Sequence, residues 1–572
     1  MRLNIVKSKN AEQLYIIKSI RKDGKSTTRI MKKLGTMASL LPKFGNDRDS
    51  VIAWAKNEAK ILTELEDEGK VSVDVSFNEL NQIEIGKKKN FNIGYLFVNF
   101  LYHQLSLDKI CEDIFKKHKI EYNLSDVLNM LISTRIIAPS SKLSSYDYAF
   151  NFLEQPSFEL QHVYRSLDIL SKHSDEIQSL VYANSDNLID RNKEVLYYDC
   201  TNYFFEIEQP RGCAQYGKSK EHRPNPIVQM GLFLDGNGLP LCFSIFDGNK
   251  NEQPSLKPLE KKILKDFGLS KFIVCTDAGL GSYENRKFNS KLERSFIVTQ
   301  SLKTVKDHIQ KWALDPNGWK ISGSKKTYNI DNINGKEFEE TIFFKERWIN
   351  EKGLEQRLIV SYSIKQRNYQ QYIRQKQIDR AKKIIDTPSK LKERNQNSPK
   401  RFIDETSVTN DGEICDKKIL NLNEEKIRKE EKFDGFYAIC TNLEKDINEI
   451  IHINKMRWQI ESCFRIMKSE FKTRPVYLRN EDRIQAHFLT CFLSLLILKL
   501  IKMKITNETS EENILNTLRS MNVHKLRDLG YLASYTRTEI TDDLHESFGF
   551  RTDKEFISEK SMKKILKKIK KG

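Results

Sequence analysis

Residues 194–207 read EVLYYDCTNYFFEI. Aromatic residues crowd the segment, so it reads as a β-strand. Downstream, IVQMGLFLD (227–235), GNGLP (236–240) and LCFSIFDG (241–248) make a hairpin. SLKPLEKKILKDFG (255–268) reads as a helix closed by a terminal glycine. KFIVCTDAGL (271–280) is a buried strand ending at Asp277. YENRKFNSKL (283–292) reads as a helix and SFIVTQSL (295–302) as one more strand. The order β-β-β-α-β-α-β predicts a mixed sheet with helices on its faces.

Two carboxylates stand out on that sheet. Asp199 lies in the first strand, and Asp277 closes the fourth. Sites in open α/β sheets gather at strand ends. A third carboxylate lies in RWQIESCFRIMKSEF (457–471), which has no Pro or Gly and reads as helix. Ile460, Phe464, Met467 and Phe471 form its apolar stripe. Arg457, Glu461, Arg465 and Lys468 gather beside it. The plainest reading of Glu461 is two helical salt bridges, to Arg457 and Arg465, of roughly 0.2–0.5 kcal/mol each. A helix returning to the sheet would instead bring Glu461 alongside the two aspartates. Three carboxylates at one point repel unless a cation lies between them. Magnesium suits such a set, because it is hard and takes carboxylates together with phosphate oxygens. Two ions about 3.5–4 Å apart serve in-line displacement at phosphorus. Arg457 and Lys468 would then hold a DNA backbone, and the Thr201 hydroxyl, on the same strand face as Asp199, would support the site.

The bulk composition agrees with a nucleic-acid partner. The chain has 572 residues, enough for about four domains. Its apolar fraction is 39%, its charged fraction 30% and its net charge +18, which favours an anionic partner. Nine scattered cysteines form no C-x-x-C pair, which argues against a zinc ribbon and for a reducing cytosol. MRLNIVKSKN carries no apolar signal core. The charge-free run AHFLTCFLSLLIL (486–498) has 13 residues, too few to span a bilayer, and reads as a buried helix. No G-x-x-x-x-G-K-[ST] phosphate loop is present.

Elsewhere, QLYIIKSI (13–20) and RKDGKSTTRIMKKLG (21–35) predict a hairpin turning at Asp23-Gly24. A helix follows, capped by Asp47 or Asp49. Residues 91–190 hold several helical patterns, one with Ser125 near its start. Ser125 ahead of Val127 and Leu128 reads as the cap of that helix. The helices suit a helix-turn-helix reader and an ordinary bundle equally well. In KSKEHRPNP (218–226), Lys218, Lys220, His222 and Arg223 are DNA-contact candidates, with a solvated basic loop as the alternative. His487 reads as a core histidine, and Trp312, Trp319 and Trp348 as core packing. Asp235 reads as turn chemistry. The C-terminal SMKKILKKIKKG (561–572) reads as a solvated end helix.

The chain resembles the insertion-sequence DDE transposases of the RNase H-like (retroviral integrase) superfamily. The branch is the one whose third acid lies in a Y-x(2)-R-x(3)-E-x(6)-K signature. Here those positions are Asn454, Arg457, Glu461 and Lys468, so three of four match. GKSKEHRPNPIVQMGLFLDGNGLPLCFSIFDGN (217–249) and VCTDAGL (274–280) are similar to the segments around the first two acids. Ala278 stands where an Arg is common. The resemblance is close over roughly 190–505. It implies an RNase H-like α/β core interrupted by a β-rich insertion between the second Asp and the Glu. That gap is 184 residues, against 78 between the aspartates. It also implies that Asp199, Asp277 and Glu461 are catalytic metal ligands.

The expected organisation is an N-terminal hairpin plus helix (1–75), a helical candidate end-binding region (76–190), the core in two parts (191–303 and 436–505), the insertion (304–435) and a basic C-terminal region (506–572). The expected activity is Mg²⁺-dependent cleavage at terminal inverted repeats and strand transfer into target DNA, with two ions and with Mn²⁺ able to substitute. The expected partners are double-stranded DNA and a second copy of the chain, with no membrane. The expected place is a prokaryotic cytoplasm, on the nucleoid when DNA is bound. The rivals are an RNase H-like nuclease that cuts without joining and an inactive, transposase-derived DNA-binding protein. An RNA-binding protein ranks last, because no RNP-like run is present.

Overall fold

The computed structural model describes residues 1–572 except 9–10, 23–24, 68–72, 74, 76–77, 81, 334–335, 388–398, 408–417 and 572. The chain divides into two compact units. The first holds Met1–Lys89 with two short returning segments, and the second holds almost everything else.

In the first unit, β1 (Arg2–Lys7), β2 (Glu12–Lys22) and β3 (Lys25–Thr36) form an antiparallel sheet. The expected hairpin is β2–β3, and β1 adds a strand to it. The Asp23-Gly24 turn lies outside the described residues. After the short α1 (Met37–Leu40) comes α2 (Arg48–Asp67). Asp47 caps α2, accepting from the amides of Asp49 and Ser50 at 3.1 Å each. Leu14, Met37, Leu40, Val51 and Ala55 make the core of this unit.

The second unit begins with β4 (Asn90–Asn92) and six helices: α3 (Tyr95–Gln104), α4 (Leu107–Lys117), α5 (Leu124–Ile137), α6 (Lys142–Ala149), α7 (Leu160–Lys172) and α8 (Ser174–Leu188). Asn123, not Ser125, caps α5, because its side chain accepts from the amides of Ser125 and Asp126.

The sheet follows. It contains β5 (Val195–Phe204), β6 (Ile227–Asp235) and β7 (Pro240–Asp247) as an antiparallel meander. After α9 (Leu256–Asp266), β8 (Ile273–Thr276) lies parallel to β5; after α10 (Tyr283–Asn289), β9 (Ser295–Thr299) lies parallel to β8. Counting from β5, the order across the sheet is third, second, first, fourth, fifth, which is the RNase H-like arrangement. The Asp235 turn is structural: its carboxylate accepts from the amides of Asn237 and Leu239 and pairs with buried Arg191 at 2.6 Å.

The intervening residues hold α11 (Asp307–Leu314), β10 (Trp319–Ile321), β11 (Thr327–Tyr328), β12 (Phe343–Glu351), β13 (Leu354–Tyr362), α12 (Ile364–Asp386), β14 (Ile403–Ser407), β15 (Lys418–Leu422) and α13 (Glu424–Glu431). Strands β10 to β13 continue the main sheet, joined to it by β16 (Phe436–Thr441), which pairs with β13 on one side and β9 on the other. The sheet thus reaches ten strands. Trp319 is fully buried in this part and Trp312 packs beside it, whereas Trp348 is half-exposed.

After β16 come α14 (Ile447–Met456), α15 (Trp458–Arg465) and the long α16 (Glu481–Lys504). The segment expected as one helix is broken. It is α-helical to Arg465, then makes a π-helical turn over Ile466–Glu470. Ile460, Phe464, Met467 and Phe471 are all buried, as the stripe requires. The chain continues through α17 (Glu511–Ser520), β17 (Asn522–Leu526), whose first three residues pair with β4, and α18 (Glu539–Phe548), and α19 (Glu559–Ile569) is the basic C-terminal helix. The sheet packs on both faces. Tyr198 and Cys200 pack toward α9 on one side, and Tyr203 meets Phe488 of α16 on the other. α16 is long and apolar enough to cross a membrane, but 89% of its apolar window is buried in the protein. His487 within it is buried and bonds the Thr473 carbonyl at 3.2 Å.

Candidate active site

Side chains alternate along β5, so Tyr197, Asp199, Thr201 and Tyr203 share one face. The parallel pairing runs Val195–Ile273, Leu196–Val274 and Tyr197–Cys275. Carried two residues further, that register sets Asp277 beside Asp199. The Asp277 carboxylate accepts the Leu280 amide at 3.0 Å, which fixes the turn that ends β8. Asp199 accepts the Cys200 amide at 2.7 Å. Burial pushes the Asp199 carboxyl up to about 6; Lys220 and Arg457 pull it down, while the charge of Asp277 adds to the rise.

Two lysines reach this pair. Lys220 donates to the Cys200 carbonyl and pairs with Glu252 at 3.1 Å. Lys468 leaves the π-helical turn and donates to Thr201 Oγ1 at 2.6 Å. Burial, with Lys220 nearby, pushes the Lys468 ammonium down to about 8. Thr201 is thus the hydroxyl that ties the α15 segment to the Asp199 strand.

Glu461 sits on α15, which packs against β5. Buried Ile460, Cys463 and Phe464 hold that helix in place. The Glu461 side chain is 59% exposed and lies 3.2 Å from Arg457 Nη1. Among the described residues, no three acid, His or Cys side chains stand close enough to hold one metal ion. The structure therefore brings Asp199 and Asp277 together and leaves Glu461 in its helical ion pair. Arg457 acts on both sides: it pairs with Glu461, and its charge lowers the pKa of Asp199. The donor set suits a hard divalent cation. Two recessed carboxylates repel each other, and an arginine now supplies part of the missing positive charge. For Glu461 to join them it would have to release Arg457.

The other expected contacts are spread out. Arg465 is exposed and approaches the Ser462 hydroxyl at 3.5 Å rather than Glu461. Lys218 is exposed, and its carbonyl accepts from Asn202. His222 is exposed, with a left-handed φ of 55°. Arg223 stacks 4.2 Å over the Phe204 ring. Of that loop, Lys220 is the side chain whose charge acts on Asp199.

Three neighbours escaped the sequence reading. Glu252 balances Lys220. Glu221 pairs with Arg474 and lies 3.9 Å from Lys468. Tyr437 of β16 places its hydroxyl 3.0 Å from the amide nitrogen of Asn454, the residue standing at the signature tyrosine position. None carries a local pattern, because each partner is far away in sequence.

Comparison with known proteins identifies the family. A family model described as "Transposase DDE domain" matches residues 204–497, starting five residues past Asp199 and covering Asp277 and Glu461. No curated protein sequence matches the chain. Among solved structures, a cryo-EM structure of a piggyBac transposase synaptic complex with hairpin DNA is similar at 8% identity and a TM-score of 0.36, over 74% of this chain and 78% of that one. The family model spans more than half of the 572 residues, and the chain belongs to the DDE transposase family.

Proposed function

We propose that this transposase cuts and joins DNA at Asp199, Asp277 and Glu461, acting on the terminal inverted repeats of its own insertion sequence. The observation that carries this reading is the β5–β8 register, which sets two recessed carboxylates side by side. Bound there, divalent metal, taken as two Mg²⁺ with Mn²⁺ as substitute, would supply the positive charge that phosphodiester displacement needs. Asp199 and Asp277 would hold it, with Glu461 as the third ligand once DNA phosphates draw Arg457 away. Lys468 and Lys220 would orient the scissile phosphate. Water attacks phosphorus and the 3′-oxygen leaves as a hydroxyl. That hydroxyl then attacks a target phosphodiester, and one bond forms as one breaks. Arg465, Lys218, His222 and Arg223 would contact DNA outside the cleaved bond. Two copies would hold two ends, in a prokaryotic cytoplasm on the nucleoid.

The test is cleavage of linear DNA carrying the gene's own flanks, with Mg²⁺ or EDTA, by wild type, Asp199→Asn and Glu461→Gln. Cutting at the flanks should need metal, and each substitution should lower it by about 10²–10³-fold or more while binding persists. Joining of the cut ends to a second DNA separates transposition from simple cleavage. If folded wild type binds DNA yet never cuts it, the catalytic reading fails. The Arg457–Glu461 pair would then be structural and the inactive DNA-binding rival would stand.

A further inference from the structure

Helix α12 lies in the insertion and is not explained by the carboxylate site. Its 23 residues span about 35 Å. One face is anchored. Arg374 is buried in a two-pronged pair with Asp434, and Ile378 and Ala381 pack on Phe402 and Ile427. The opposite face is open. At helical spacing it presents Lys365, Tyr369, Tyr372, Lys376, Arg380 and Lys383, all exposed. Lys365 pairs with Glu340 at 2.6 Å, and Lys376, Arg380 and Lys383 leave the rest of the face net positive with Asp379 at its edge.

A solvated basic face would explain the lysines. It does not explain the tyrosines, which are 61% and 56% exposed on adjacent positions of the same stripe. The Lys376 ammonium lies 4.4 Å over the Tyr372 ring, so cation and aromatic face solvent as one surface. The stripe is also continuous with the candidate site. Lys365 and Gln366, in the first turn of α12, line the same cleft of about 500 Å³ as Arg457, Trp458 and Glu461. The far side of the same stretch opens on a second cleft of about 470 Å³, lined by Tyr369 and Gln370, and Tyr437 borders both.

We infer that the exposed face of α12 is a docking track for double-stranded DNA, running outward from the cleft that holds Glu461. The cations would take backbone phosphates, and the two tyrosines would pack on sugars. The inference rests on the proposed DNA chemistry but adds a surface that the chemistry does not require. A B-form duplex carries a charge per about 1.7 Å, so a face of this length meets several phosphates.

The experiment measures affinity of the full chain for a fluorescent 40-base-pair duplex across a salt series. The proteins are wild type, Lys376→Gln/Arg380→Gln/Lys383→Gln, and Tyr369→Ala/Tyr372→Ala, with Lys429→Gln, at an exposed lysine paired with Glu425, as control and thermal melts to confirm folding. The triple variant should lose at least about 10-fold in affinity, and its slope of log K against log salt should flatten by roughly 2 to 3, near 0.9 per lost phosphate contact. The tyrosine variant should lose affinity with little change in slope. Lys429→Gln should bind like wild type. Wild-type affinity and slope in both α12 variants would overturn the track while leaving metal-dependent cleavage intact. A wild type with no affinity for duplex, or a preference for RNA, would overturn the track and the DNA reading together.

Discussion

Asp199→Asn should make the metal-free protein more stable. The Asp199 carboxyl is raised from 3.8 to about 6, first by burial and then by Asp277. A raised acid binds more protons in the folded state than in the unfolded one between those two pH values. Stability therefore falls as pH rises from about 4 to 6, and the full penalty remains above 6. A shift of about two pKa units corresponds to about 3 kcal/mol. Asparagine keeps the shape and removes the charge, so the variant should gain about 2–3 kcal/mol at pH 7.5. The gain should shrink toward nothing near pH 4. Mg²⁺ should close most of the gap: at 100 times its dissociation constant it adds about 2.7 kcal/mol to wild type and far less to the variant. Denaturant midpoints and melting temperatures at pH 5 and 7.5, with EDTA or with Mg²⁺, read both effects. A metal-free Asp199→Asn that is less stable than wild type at pH 7.5 would refute the reasoning, because Asp199 would then be an ordinary structural acceptor.

Thr201→Val removes the hydrogen-bond acceptor of Lys468 at 2.6 Å and leaves Glu221, at 3.9 Å, to face its recessed ammonium. The Lys468 pKa should drop below about 8, moving the alkaline limb of the cleavage–pH profile to lower pH, with an unchanged profile as the contrary result. Lys142 is buried without a hydrogen-bond partner among the described residues, and burial, with Arg135 nearby, pushes it down to about 7. Its cost is full below pH 7 and disappears toward pH 10.5, so Lys142→Met should stabilise the protein by on the order of 4 kcal/mol at pH 6.5, the difference fading in denaturant titrations at alkaline pH. Tyr437→Phe removes a hydroxyl shared by Asn454 and Thr299 and should cost about 1–2 kcal/mol in thermal melts, without changing the stabilisation by Mg²⁺.

The core was legible because its information is local. The aromatic β5 segment, the Asp235 turn and the terminal glycine of α9 each carry their own signature. Asp199 and Asp277 were legible as a pair because parallel strands advance in step. The strands β10 to β13 were harder, since β13 finds its partner β16 only after α12 and the segments that follow it. The cap of α5 was misplaced by two residues because Asn123 and Ser125 are both good capping residues and the backbone decides between them. Lys468 was placed by a 3.6-residue period that the π-helical turn interrupts. Glu461 has a near partner, Arg457, and proposed distant ones, Asp199 and Asp277. Sequence weighs only the near one, while the resemblance pointed to the distant ones.

The strand β16 gives the insertion an unusual mechanical standing. Six residue pairs join it to β13, and three join it to β9. An insertion tethered by two flexible linkers would swing as a flap. One stitched into the sheet on both edges behaves as a rigid ruler, and sliding it would break backbone hydrogen bonds in series. The spacing between α12 and the Asp199–Asp277 pair is therefore set in the folded chain before any ligand arrives. A cut placed at a fixed distance from whatever α12 grips would need no measuring motion by the protein, and lengthening β13 and β16 together by two residues would be expected to move the scission point by a corresponding step.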